Sequence, residues 1–152
     1  MTEIYGLSST GKTQLCLASL VVCISVMSER SDDVLVCAEC LRSRSRVIYM
    51  DTTNSFCVKR ILDLAQMEEE SAKPFLSLIH VFRIHDIYDL HRLVDQLSVQ
   101  IGKGIPRPHI LIVDSISAIL SAVCNYDSRQ GYASIECMGR ALRNLASVHD
   151  LP

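Results

Sequence analysis

Hydrophobic and polar positions change period several times along the chain. Thr2 to Tyr5 is a short strand candidate that ends at Gly6. Gly11 to Met27 is long enough for a helix but apolar nearly all round, which predicts burial on most sides, as beneath a parallel sheet. Residues 28–46 break the pattern with mixed charge and the basic string Leu41-Arg42-Ser43-Arg44-Ser45-Arg46, and read as an extra linker or surface excursion. Val47 to Asp51 (VIYMD) is a β-branched and aromatic run of strand length. Val58, Ile61, Leu62 and Ala65 recur at helical spacing, and Leu78 to Ile84 reads as another strand. Asp86 can cap a helix whose apolar positions Ile87, Leu90, Leu93, Val94, Leu97 and Ile101 keep the i, i+3, i+4 rhythm. Gly102, Gly104, Pro106 and Pro108 punctuate the chain before Ile110 to Val113, an apolar strand closed by Asp114. A last helix carries Ile135, Met138, Leu142 and Leu145 on one face. Strand and helix alternate throughout, which predicts an α/β domain with right-handed crossovers and a parallel sheet covered by helices on both faces.

Composition narrows the function classes. The 152 residues carry 15 basic and 17 acidic side chains, a formal charge of −2, so the chain is no basic nucleic-acid coat and any such contact must be local. Seven cysteines, an odd number spread through strand and helix patterns, favour free thiols in a reducing compartment. The longest uncharged run, Thr13 to Ser28, falls short of the ~20 apolar residues of a membrane helix and is interrupted by Gln14, Ser19 and Ser25. Glu3 and a glycine turn stand where a secretory signal would carry positive charge. The expectation is a soluble intracellular protein that engages no membrane.

The chemistry concentrates between the first strand and the first helix. Gly6-Leu7-Ser8-Ser9-Thr10-Gly11-Lys12-Thr13 matches G-x-x-x-x-G-K-[ST] at every fixed position. Its glycines permit backbone conformations in which successive N–H groups point inward around a phosphate. Lys12 would reach the β- and γ-phosphates, the Thr13 hydroxyl would hold Mg²⁺, and the following helix would present its positive end to the anion. Mg²⁺ also needs an acidic partner at the end of a buried strand, and Asp114 of ILIVD supplies one. ATP and Mg²⁺ are the expected cofactors.

Taken together, GLSSTGKT followed by Gln14, VIYMDT and ILIVDS resemble the RecA-type recombinases, and within them the eukaryotic recombinase paralogues; DTTNSF, DIYDL and VDSISAIL look like that group too. The resemblance runs from Thr2 to Leu151 apart from the segment at 28–46. It implies a P-loop NTPase of RecA-like core, spanning residues 1–152 and incomplete at its C-terminal end. Family members carry a helical region before the first core strand. They continue past the position of Pro152 into a strand lying between the phosphate-loop strand and the one bearing Asp114. A truncated isoform or partial gene product is therefore expected. Active recombinases have Asp-Thr-Glu-Gly where this chain reads Asp51-Thr52-Thr53-Asn54, so Thr53 takes the place of the catalytic glutamate. Threonine is no general base near neutral pH, and hydrolysis should be weak or dependent on a partner.

By position, Ser121 to Tyr132 corresponds to the family's first DNA-facing loop, with Tyr126 as a stacking face and Arg129 as a phosphate contact. The resemblance further implies a nuclear DNA-repair protein of homologous recombination, acting with other recombinase paralogues on single-stranded or branched DNA. The rival expectation is a non-enzymatic fragment that binds partner paralogues without nucleotide. A third is an unrelated P-loop enzyme such as a small kinase, for which no lid or acceptor motif is seen. Cys37 and Cys40 have metal or redox spacing but no second pair, and read as structural or accidental. The arginines at 42, 44 and 46 read as solvated.

Overall fold

Two continuous apolar runs, each closed by an aspartate, form neighbouring strands. In the computed structural model, which describes residues 1–29, 47–124 and 128–151, β1 (Val47–Asp51) lies at the centre of a three-stranded sheet, between β2 (Ile79–Arg83) and β3 (Ile110–Asp114). Both pairings are parallel, and the register places Asp51 directly beside Asp114 at the C-terminal ends of their strands. Parallel strands need crossovers. These are α2 (Val58–Ala65) with the short α3 (Lys73–Leu76) between β1 and β2, and α4 (Ile87–Gly102) between β2 and β3. The N-terminal helix α1 (Lys12–Glu29) precedes the sheet, and α5 (Ile116–Cys124) and α6 (Ser128–Val148) follow it.

The pleat of β1 divides the interior. Val47 and Tyr49 face one core, formed with Leu17, Leu20 and Ile24 of α1 and Ile61 of α2. Ile48 and Met50 face the other, formed with Leu90, Val94 and Leu97 of α4, Ile119 of α5, and Met138 and Leu145 of α6. Helices thus cover both faces. Asp86 caps α4 as its position suggested, its carboxylate accepting the Asp89 N–H at 2.7 Å.

Four expectations need correction. Residues 2–5 form no strand: they pair with neither edge of the described sheet, β2 or β3. An isolated extended segment has nothing to hold its backbone in register. Helix α1 is buried on one side only, with Leu15, Val22 and Val26 all about half exposed or more, since its other side meets no described element. The segment at 121–132 is mostly not a loop: α5 runs to Cys124 and α6 starts at Ser128. Finally, α1 continues to Glu29, past the start of the segment read as a linker, whose residues 30–46 lie outside the described ones.

Candidate functional site

The turn at residues 6–11 is built by its own small residues. Gly11 sits at φ +87°, a left-handed conformation that favours glycine, and its carbonyl accepts the Leu15 N–H at 2.9 Å to open α1. Ser9 is also left-handed, at φ 62°. The Thr10 hydroxyl donates to the Leu7 carbonyl at 2.8 Å and lies 3.1 Å from where a Cβ on Gly6 would stand, so a larger residue there would press on that bond. Lys12 folds back over the turn, and its Nζ donates to the carbonyls of Gly6 at 2.9 Å and Leu7 at 2.6 Å. An ammonium has three N–H groups, so one remains for an anion. Ile4, Tyr5, Gly6 and Lys12 border a cavity of about 420 Å³ at this end of α1. Ser8 lies in the same exposed turn, and Thr13 is half-buried in the first turn of α1.

Asp114 and Asp51 are the two buried charged side chains among the described residues, 5% and 2% exposed. They have different tasks. Asp51 is consumed by its own turn: Oδ1 accepts the N–H groups of Thr53 and Ser55, both at 3.1 Å, and Oδ2 that of Phe56 at 3.0 Å. Burial pushes its carboxyl up, but the N–H groups of Phe56, Ser55, Thr53 and Asn54 outweigh that and hold it below the ordinary value. Asp51 therefore cannot replace the missing glutamate, and it fixes the backbone that carries Thr53. The Thr53 hydroxyl donates to Ser55 Oγ at 2.8 Å in an exposed position.

Among the described residues one side chain donates to the Asp114 carboxylate: Tyr49 Oη, to Oδ2 at 2.7 Å. Burial, and then this bond, push the Tyr49 phenol well above the ordinary tyrosine range, so it stays a donor. Strand β3 packs against α1, and burial first, then the charge of Asp114, push up the Cys16 thiol of that helix, one turn after Thr13. Thr52 ties the two strand ends, its N–H donating to the Asp114 carbonyl at 3.0 Å and its hydroxyl to that of Ser115 at 2.7 Å. The Asp114–Ser115 peptide is cis. Sequence reasoning missed Tyr49, Asp51 and Thr52. The available signal was parity, since Tyr49 and Asp51 must share a face of one strand, and Ile112 and Asp114 a face of the next.

An acid titration reports on Asp51. Because its folded carboxyl is more acidic than the unfolded one, the unfolded chain binds more protons in acid, so this contribution is complete above the ordinary value of 3.8 and is lost as pH falls below it. Asp51→Asn, which turns an NH₂ group toward backbone donors, is expected to cost about 1–3 kcal/mol near pH 7. Its urea unfolding curves should converge on those of the wild type at the acid end; a constant gap down to low pH would contradict the assignment.

Of the other expected site residues, Tyr126 lies outside the described residues, and of Arg129 the structure describes only its place in α6. Cys37 and Cys40 also lie outside. Among the described residues no group of three His, Cys, Asp or Glu side chains could hold a metal, and no helix is long and apolar enough to cross a membrane.

Comparison with known proteins decides the family. The Rad51 family model matches residues 1–150. The chain belongs to the Rad51 family. It is 27% identical over 153 residues to the DNA repair protein RAD51 homolog 4 of Bos taurus and to that of Mus musculus, covering 96% of this chain and 42% of each relative. It is also 27% identical over 119 residues to a DNA repair protein Rad51 homolog of Drosophila melanogaster, covering 78% of this chain and 32% of that protein. The chain thus spans less than half the length of these curated relatives. It is a Rad51-family homologue of DNA repair proteins with an α/β domain, and the family includes ATPases. The residues present fit a nucleotide and its cation in kind: a glycine-lysine turn at a helix N-terminus, and a buried carboxylate at the C-terminal end of β3.

Proposed function

We propose that this Rad51-family chain binds ATP with Mg²⁺ as a DNA-repair protein of homologous recombination. The observation that supports it best is the Lys12 turn at the head of α1, the helix that packs on the face of the sheet bearing Ile112 and, by strand parity, Asp114. In this reading the backbone of residues 6–11 surrounds the phosphates, Lys12 moves from its carbonyls to the terminal phosphates, and Thr13 and Asp114 hold the cation. Thr53 in place of a carboxylate leaves no general base, so hydrolysis is weak and nucleotide acts as a conformational switch. The similarity to RAD51 homolog 4 favours the D subgroup of paralogues, and the DTTNSF, DIYDL and VDSISAIL segments resemble its plant form. Other recombinase paralogues and single-stranded or branched DNA are then the partners, and the nucleus the location. A group supplied in trans from a neighbouring subunit would complete the site, in keeping with the exposed Tyr5 and Leu7 beside it.

A second reading has one observation behind it. Residues 2–5, which would anchor the turn, pair with no described strand, as suits a fragment that binds partner paralogues without nucleotide. Equilibrium titration of the 152-residue chain with a fluorescent ATP analogue separates the two. Saturable binding weakened by EDTA is expected. Absence of binding, together with capture of a partner paralogue, would overturn the first reading in favour of the second.

A further inference from the structure

The strand beside β3 carries a side chain whose polar end reaches the candidate metal carboxylate from inside the fold. Tyr49 is fully buried, and its hydroxyl crosses from β1 to Asp114 Oδ2. Its ring leans on Phe56, with centroids 5.0 Å apart and planes inclined at 59°. Phe56 is in turn held by its N–H on Asp51 Oδ2. Asp51 thus anchors the turn, the turn backs the ring, and the ring aims the hydroxyl. A carboxylate on a strand end can rotate about its own bonds, whereas Mg²⁺ demands near-octahedral ligands at close to one distance. A donor that commits one oxygen removes that freedom and leaves the other for the cation.

We propose that Tyr49 is a positioning residue for Asp114, its hydroxyl fixing the carboxylate so that Oδ1 meets the divalent cation that accompanies nucleotide. This rests on the nucleotide reading above and deepens it: Tyr49 acts through Asp114 and touches neither nucleotide nor metal. The hydroxyl is the relevant atom, and Tyr49→Phe removes it while keeping the ring against Phe56.

The experiment is a Mg²⁺ titration of fluorescent-ATP binding by the 152-residue chain, beginning in EDTA, compared among wild type, Tyr49→Phe and Lys12→Ala. Tyr49→Phe is expected to keep its nucleotide affinity in EDTA within about twofold and to raise the Mg²⁺ midpoint about tenfold, as loss of an outer-shell partner does. Lys12→Ala should lose affinity in both conditions. A wild-type chain that binds no nucleotide overturns the nucleotide reading and this proposal with it. Wild-type binding with an unchanged or lowered Mg²⁺ midpoint in Tyr49→Phe overturns this proposal alone, even if that variant melts at a lower temperature. Should Tyr49→Phe fail to give a cooperative melt, Phe56→Leu decides, since it loosens the ring and leaves the hydroxyl. A raised midpoint there supports the proposal and an unchanged one overturns it.

Discussion

Lys12→Ala is expected to abolish the thermal stabilisation that Mg·ATP confers while leaving the melting temperature of the free chain nearly unchanged. The two halves of this result have separate causes. In the free chain Lys12 donates, among the described residues, to the carbonyls of Gly6 and Leu7, both in an exposed turn where water can replace it. Its loss should therefore stay within the ±0.5 kcal/mol usual for surface substitutions. Nucleotide that binds only the folded state at about 100 times its dissociation constant adds about 2.7 kcal/mol. For a chain of this length that corresponds to a rise of roughly 5–11 °C. Differential scanning fluorimetry with and without Mg·ATP reads both quantities. A shift that survives in Lys12→Ala would place the nucleotide elsewhere on the molecule.

What could be read in advance depended on whether the deciding contacts were local. The strands β1 and β3 are continuous apolar runs ended by aspartates, and α4 has a capping Asp86 before a regular apolar stripe, so each declares itself within one window. The candidate phosphate turn is likewise local, being conformational freedom at Gly11 and a lysine at the head of a helix. Helix α1 misled because an apolar composition shows what a helix could bury, whereas burial requires a neighbour, and only the side bearing Leu17, Leu20 and Ile24 has one. Residues 2–5 misled for the same reason, since a strand exists only with a partner. Position in the family pattern makes the segment at 121–132 a loop, whereas its flanks extend the helices α5 and α6. The bond from Tyr49 to Asp114 spans 65 positions and depends on the register of two strands. No local pattern carries it; the parity of Tyr49 and Asp51 on one strand is as near as the sequence comes.

Thr53→Glu is expected to raise ATP hydrolysis by at least about 10²-fold, the lower end of what a positioned general base contributes. The argument rests on the backbone more than on the side chain. Asp51 grips the N–H groups of Thr53, Ser55 and Phe56, and Thr52 ties the same strand end to Ser115, so the turn is held from both sides of position 53. The Thr53 hydroxyl makes only an exposed bond to Ser55, and its replacement costs the turn little. A carboxylate introduced there starts from a prearranged backbone at the C-terminal edge of the sheet, beside the strand end that carries Asp114. Thr53→Gln separates shape from basicity: it has the same length and no proton-accepting charge, and should hydrolyse at the wild-type rate. Steady-state phosphate release, with Lys12→Ala in the Thr53→Glu background as the blank, measures the gain. An unchanged rate in Thr53→Glu with nucleotide binding intact would place the deficiency outside this turn, in a group that must come from another subunit. A gain confined to glutamate would show that the turn at 52–56 has kept the geometry of a hydrolytic site and lacks only its base.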